Sequence, residues 1–369
     1  PDNKKFPDGI KPVFEEIRKL GLKTGLWISV GSAAKASQAL KNNPEWAVRD
    51  DNGDLINLHS PDSERDQWTM CFGTEWKEYI KNKILNLVRE LNLSYVKLDL
   101  SVVTSAYSTE INKAGCSAKD HPFHKDREES LIVIYERLFE LFDELHKEAP
   151  DLYIDCTFET AGKLQLIDYA FCQHAEGNWL TNIGETFPVG AFRIRNLAWW
   201  KSPVIPASSL IIGNLQMNSP EFIQELKTLI GSFPIVLGDL RQLSEEKKVE
   251  IKQWISWISE MQQKYDYDLY RQDIPGFGEP MEGSWDGWMR INTDSKKGGI
   301  IGVFRHGSLD NERRISIPGL SKNDNYKIKR APLGEEISVM NGEDLAKQGF
   351  KVFLEKNYDS VIFEIELAE

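Results

Sequence analysis

Cysteine and histidine are scarce in this sequence, whose 369 residues include four cysteines and six histidines. Cys71, Cys116, Cys156 and Cys172 form no C-x-x-C pair, and no histidine belongs to an H-E-x-x-H motif. This spacing excludes a disulfide-dense scaffold and matches no zinc-site motif. We therefore expect no metal and no other cofactor.

Positive charge and long apolar runs are also lacking. The sequence has 57 acidic against 45 basic residues, a net charge of −12. Nucleic acids and anionic membranes attract clustered positive charge, so we expect neither as a partner. No segment approaches the roughly 20 apolar residues of a membrane span. The chain opens at Pro1 with no visible leader and is expected to begin inside a domain, which leaves its compartment and oligomeric state open.

From about residue 10 to residue 265, helical hydrophobic spacing alternates with short apolar runs. Residues 10–20 predict a helix that Gly21 ends, and residues 22–30 predict a buried strand. Repeated units of this kind indicate parallel strands joined by right-handed crossovers. The other strands are predicted at residues 95–101, 152–158, 169–174, 204–212 and 235–240, and the other helices include 75–91, 124–147 and 244–264.

These six strands predict an α/β fold of the TIM type, a (β/α)8 barrel. Because a closed barrel needs eight strands, we expect the first two to lie upstream of Pro1. After about residue 280 the segments become short, β-rich and separated by turn residues, which predicts a small antiparallel β-sandwich. The predicted domains are a catalytic barrel at residues 1–275 and a sandwich at residues 280–369.

The predicted strand at residues 95–101 carries polar side chains on one face. Strand alternation places Lys97 and Asp99 on the inward face of the barrel, near the end of the strand where active sites lie. The alternative is an ion pair that merely closes the barrel. On the first strand, Trp27 also faces inward, where it either forms the floor of a binding pocket or fills the barrel.

Two later strands offer a second carboxylate. Asp155 and Glu159 share a face of one strand, and His174 and Glu176 share a face of the next. Retaining glycosidases use such a pair: one carboxylate is the nucleophile, and an acid roughly 5–5.5 Å away protonates the leaving oxygen. Spacing alone does not choose between Glu176, Glu159 and Asp155. His174 either lines the site or is a core histidine.

Several segments, in this order, resemble the melibiase-type α-galactosidases of glycoside hydrolase family 36, which share a clan with family 27. They include Phe6-Pro-Asp-Gly-Ile-Lys-Pro, Leu20-Gly-Leu-Lys-Thr-Gly-Leu-Trp-Ile28, Asn43-Pro-Glu-Trp46 and Tyr95-Val-Lys-Leu-Asp99. The resemblance implies that Asp99 is the nucleophile and that Lys97 contacts sugar hydroxyls. It also implies an oligosaccharide or glycoconjugate substrate.

Two departures from the family pattern bear on function. The family's glycine-rich segment corresponds to residues 156–163, where only Gly162 and the cation Lys163 remain. The family's acid/base aspartate corresponds to Glu176, which can perform the same proton transfer. Asp155, Glu159 and Lys163 are further candidates for contact with the sugar. The expected activity is retaining hydrolysis of an α-glycoside, foremost an α-galactoside. The alternatives are a transglycosylase of the raffinose-synthase type and a non-catalytic sugar-binding relative.

Overall fold

In a computed structural model, the chain forms two compact units, Pro1–Leu180 and Thr181–Glu369. The structure describes residues 4–58, 67–102, 115–159, 170–182, 187–203, 205–230, 232–267 and 272–368. Among these residues, no helix is both long and apolar enough to cross a membrane.

The first unit is built on parallel strands with helices between them. The strands in chain order are β1 (Gly25–Ser29), β2 (Ser32–Ala34), β3 (Asn57–Leu58), β4 (Gln67–Thr69), β5 (Tyr95–Val102), β6 (Tyr153–Glu159) and β7 (Gly177–Asn182). In the parallel sheet, β1 pairs with β5, β5 with β6, and β6 with β7. The short strands β2, β3 and β4 form an antiparallel sheet of their own in the connection that follows β1.

Two long amphipathic helices flank this sheet. The helices of the first unit are α1 (Lys11–Lys19), α2 (Gln38–Asn42), α3 (Trp76–Leu91) and α4 (Arg127–Glu148). The Asp126 side chain caps α4 by accepting a hydrogen bond from the Glu129 N–H. Helix α3 ends at Asn92, whose left-handed backbone (φ 51°) terminates the helix. The apolar faces of both helices join the outward residues of β5 and β6 in one hydrophobic core.

Strand β5 contains an irregularity directly after the predicted catalytic residue. Leu98 pairs with Cys156 and Ser101 pairs with Phe158, so β5 advances three residues while β6 advances two. Leu100 takes up the extra residue with a left-handed backbone (φ 55°). The predicted alternation of side chains therefore holds from Tyr95 to Asp99 and is broken after it.

The strand predicted at residues 169–174 is wrong. Phe171–Gln173 form a turn of 3-10 helix, and the strand begins instead at Gly177. The apolar run at the predicted position is explained by burial, because Phe171 packs against Phe142 of α4 in the core.

The second unit contains both parallel and antiparallel strands. Its helices are α5 (Val189–Lys201), α6 (Phe222–Leu229), α7 (Glu245–Tyr265) and α8 (Gly342–Lys347), and its first strands are β8 (Leu210–Gln216) and β9 (Phe233–Leu237), which pair in parallel. The remaining strands are β10 (Gln272–Asp273), β11 (Ser284–Asn292), β12 (Gly298–His306), β13 (Glu312–Ile315), β14 (Asn325–Arg330), β15 (Glu335–Asn341), β16 (Phe350–Phe353) and β17 (Tyr358–Leu367).

The strands after β9 are antiparallel, as predicted. One sheet has the order β10-β11-β12-β17-β14-β15, and β13 pairs with β16 in a second sheet. Residues of both sheets, such as Ile328 and Phe350, share one hydrophobic core. The α/β character and the antiparallel sheet are thus confirmed, while the closed barrel, the sandwich and the domain boundary at residues 275–280 stay predictions.

We expect Leu98→Ala to destabilise the first unit by about 2–5 kcal/mol, because removing a fully buried side chain leaves a cavity under β5. Leu20 is 77% exposed, so Leu20→Ala is the matched control and should change stability by no more than about 0.5 kcal/mol. Urea unfolding followed by intrinsic fluorescence measures both. Equal midpoints for the two variants would contradict the placement of Leu98.

Candidate active site

Asp99 is held by three hydrogen-bond donors or cations from β1 and β5. The Trp27 indole donates from Nε1 to Asp99 Oδ2 at 2.7 Å, and Lys97 Nζ lies 3.4 Å from the same oxygen. The backbone N–H of Leu100 donates to Oδ1 at 2.8 Å, a contact made by the residue with the left-handed backbone. The register explains the assembly, since Trp27 lies beside Lys97 and Ser29 beside Asp99.

This carboxylate remains accessible. The Asp99 and Lys97 side chains are each 16% exposed, and Trp27 is 54% exposed. Lys97 Nζ also lies 3.4 Å from the ring centroid of Trp179 on β7, in cation–π geometry. The predicted group of Trp27, Lys97 and Asp99 is therefore brought together, with Trp179 as a further member that was not predicted to contact Lys97.

Asp155 lies deeper, on β6 beside Lys97. It is fully buried and accepts a 2.5 Å hydrogen bond from the Tyr95 hydroxyl. Burial raises the pKa of Asp155 from 3.8 to about 6, although the Tyr95 hydrogen bond and the Lys97 charge act in the opposite direction. The Asp99 charge adds to the rise. The raised pKa favours a protonated Asp155, whose side chain has no exposure to solvent.

Glu176 lies in a different place from the one predicted. It precedes β7, at the amino end of the strand, and the register of Asp155 with Gly177 puts it roughly 10 Å below Asp99 along the strands. Its carboxylate accepts a 2.8 Å hydrogen bond from the Ile154 N–H and lies 3.0 Å from His146 Nε2 of α4. This outward position argues against the predicted acid/base role of Glu176.

His174 is likewise turned toward α4. Its Nδ1 lies 2.7 Å from Asp143 Oδ1, and its ring stacks on Phe139 with centroids 4.4 Å apart. The structure therefore does not bring His174 to Asp99. Glu159 is the last residue of β6, at the carboxyl end of the strand, and its side chain lies outside the described part of the chain. Lys163 lies outside the described residues altogether.

A second cluster of reactive side chains was missed by the sequence analysis. Cys71, Cys116, His121 and His124 are all buried, and one potential ligand atom from each lies within 4.8 Å of the others. Hydrogen bonds from Cys71 and both histidines lower the pKa of the Cys116 thiol. The prediction that the cysteines form no metal site rested on local spacing, whereas these residues come from two distant segments.

Comparison with known proteins identifies the family of this chain. A sequence model of the melibiase family matches residues 2–267. The chain belongs to the melibiase family. The α-galactosidase AgaA of Geobacillus stearothermophilus is 23% identical over 94% of this chain and 44% of its own length. A probable α-galactosidase C of Aspergillus flavus is 20% identical over 98% of this chain and 45% of its own length.

Solved structures agree on the fold of this melibiase-family chain. A crystal structure of the family 36 α-galactosidase AgaA of Geobacillus stearothermophilus in complex with raffinose has a TM-score of 0.77 at 18% identity, covering 100% of this chain and 48% of that one. The galactosidase domain of the α-galactosidase–sucrose kinase AgaSK has a TM-score of 0.75 at 14% identity, covering 100% and 47%. The chain spans less than half the length of each relative it matches here.

We expect Asp155→Asn to flatten the pH dependence of stability between about pH 4 and pH 6. In that window the native state holds a proton that the unfolded chain has released, so the stability of the wild type falls as the pH rises. Asparagine cannot ionise but can still accept the Tyr95 hydrogen bond.

Thermal unfolding from pH 4 to pH 8 measures this effect, with Asp151→Asn as a control at an exposed carboxylate. The Asp155→Asn curve should rise above the wild-type curve toward neutral pH. Parallel pH profiles for the two proteins would contradict the raised pKa.

Proposed function

We propose that the protein containing this chain hydrolyses α-galactosides with retention of configuration, through a covalent glycosyl intermediate on Asp99. The observation that supports this proposal best is the Asp99 carboxylate itself, held by Trp27, Lys97 and the Leu100 N–H yet still open to solvent. We also propose that the parallel strands belong to a closed (β/α)8 barrel, whose carboxyl-end face is the usual site of catalysis.

The contacts of Asp99 are suited to a nucleophile. The carboxylate attacks the anomeric carbon, the bond to the leaving oxygen breaks, and a glycosyl ester forms until water releases the sugar. Donors to both carboxylate oxygens fix its orientation, which removes part of the entropic barrier to attack. A Lys97–Asp99 ion pair with a purely structural role requires neither a solvent-accessible carboxylate nor a hydrogen bond from the Trp27 indole.

The neighbouring groups supply sugar recognition in this proposal. Trp27 is more than half exposed, and its ring can pack on the apolar C–H face of a pyranose. Lys97, between Asp99 and the Trp179 ring, can donate to a sugar hydroxyl while it keeps its contact with the nucleophile.

We assign the acid/base role to Glu159. Asp155 is sealed from substrate and Glu176 is turned toward α4, whereas Glu159 ends β6 at the carboxyl end, paired with Val102. A retaining mechanism requires a separation of roughly 5–5.5 Å between the acid/base carboxyl group and the nucleophile.

A non-catalytic sugar-binding role is the second candidate. It is favoured by the position of Glu176, the counterpart of the family's acid/base aspartate, which contacts His146 of α4, and by the sequence of β7 (Gly177–Asn182), which contains no carboxylate. A transglycosylase would use the same nucleophile and differ in the acceptor, so product analysis with and without added sugar acceptor separates it from a hydrolase.

Asp99→Ala should lower kcat/KM for an aryl α-galactoside more than about 10³-fold, equivalent to about 4 kcal/mol of transition-state stabilisation. Azide should restore turnover in Asp99→Gly and yield a β-galactosyl azide, because the small anion occupies the vacated position. Initial rates and product NMR measure both effects. Unchanged turnover in Asp99→Ala would remove Asp99 from the reaction, and wild-type protein that binds galactosides without turning them over would favour the sugar-binding role.

Glu159→Gln should slow hydrolysis of raffinose-type galactosides about 10²–10⁴-fold, the usual contribution of a general acid. Aryl galactosides with acidic leaving groups should lose less, because their departure needs little protonation. Glu176→Gln is the matched control and should leave both rates within about twofold. The assignment fails if Glu176→Gln shows the larger loss, or if the loss in Glu159→Gln is independent of the leaving group.

A further inference from the structure

The cluster formed by Cys71, Cys116, His121 and His124, called here the Cys–His cluster, has the chemistry of a metal site. The four residues are 0%, 0%, 6% and 4% exposed. Two thiols and two imidazoles with their ligand atoms within 4.8 Å of one another are the ligand set of tetrahedral zinc.

The distances within the Cys–His cluster match such an ion. Zinc–sulfur bonds of about 2.3 Å and zinc–nitrogen bonds of about 2.0–2.1 Å imply tetrahedral edges of about 3.5 Å between sulfur and nitrogen and about 3.3 Å between nitrogens. Cys71 Sγ lies 3.4 Å from His124 Nε2, and Cys116 Sγ lies 3.5 Å from His121 Nδ1. The nitrogens His121 Nδ1 and His124 Nε2 are 3.1 Å apart.

The surroundings orient these ligands. His121 Nε2 lies 2.8 Å from the Glu45 carbonyl oxygen, which can only accept, so the ring proton is on Nε2 and the Nδ1 lone pair faces the cluster. The Arg49 N–H donates to Cys116 Sγ at 3.4 Å, an arrangement that favours a thiolate. A Cβ at Gly73 would lie 2.5 Å from the His124 ring, so glycine is required for that ring to reach its position.

We propose that Cys71, Cys116, His121 and His124 bind one structural zinc ion that ties the β1–α3 connection to the β5–α4 connection. Zinc binds both sulfurs as thiolates, so each thiol proton still present on Cys71 or Cys116 is released to solvent, and nothing is oxidised or reduced. Four protein ligands complete the tetrahedron, which leaves no position for water or substrate.

The zinc connects the two segments that leave the strands carrying Trp27 and Asp99. Cys71 directly follows the β4 region of the β1–α3 connection, and the other three ligands precede α4. The backbones of the two connections already meet, since the Ser117 N–H donates to the Arg49 carbonyl at 2.8 Å. Zinc coordination adds a strong cross-link to this backbone hydrogen bond. It thereby fixes the β1–α3 and β5–α4 connections near Asp99.

Metal analysis of the full chain purified from zinc-supplemented cells tests the proposal. We expect about one zinc per chain in the wild type and in Cys172→Ser, a control cysteine outside the cluster, and less than about one tenth of an equivalent in Cys116→Ser. A strong chelator should lower the Tm of the wild type and leave that of Cys116→Ser unchanged.

Cobalt exchange into the wild type keeps the test decisive if Cys116→Ser does not fold. Tetrahedral Co²⁺ with two thiolates gives intense visible bands and a sulfur-to-metal charge-transfer band. Failure of the purified wild type to bind zinc or cobalt stoichiometrically, full zinc content in Cys116→Ser, or a Cys71–Cys116 disulfide in the native protein would each overturn the proposal.

Discussion

A carboxylate beside an apolar strand core is costly unless donors surround it, and this constraint organises the first unit. Asp99 satisfies it with an indole from β1, an ammonium from its own strand and the backbone N–H of Leu100. The parallel register of β1 and β5 brings the Trp27 indole to Asp99. The irregularity after Asp99 lets the Leu100 N–H donate to the same carboxylate. Any shift of β1 against β5 would separate Trp27 from Asp99.

The carboxyl groups around this point differ because their surroundings differ. Asp99 is accessible and contacted by donors on both oxygens, whereas Asp155 is sealed, hydrogen-bonded to Tyr95 and shifted toward the protonated form. Glu176 belongs to the outer layer with His146. Among the acidic residues that the structure describes on these strands, Glu159 ends β6 at its carboxyl end, in register with Val102 of the strand that carries Asp99. We therefore propose Glu159 as the acid/base, whereas the sequence alone predicted Glu176.

The sequence was sufficient where local periodicity decides structure. Alternation in β5 predicted that Lys97 and Asp99 share a face, and inward-facing Trp27 followed from the same rule. It was insufficient where tertiary packing decides the structure. The apolar residues near Phe171 form a buried turn rather than a strand, so the prediction put this strand too early in the chain and put Glu176 at the wrong end of it. The Cys–His cluster also escaped, because its ligands converge only through folding.

The most direct test of the central claim is to trap the intermediate. The protein should be incubated with an activated 2-deoxy-2-fluoro-galactosyl fluoride, digested and analysed by peptide mass spectrometry. The account predicts loss of the anomeric fluoride and one 2-deoxy-2-fluorogalactosyl adduct per active chain, on the peptide that contains Asp99 and localised to that residue by fragmentation. A stable adduct on another carboxylate, or steady turnover of the natural galactoside by protein whose Asp99 is fully modified, would contradict it.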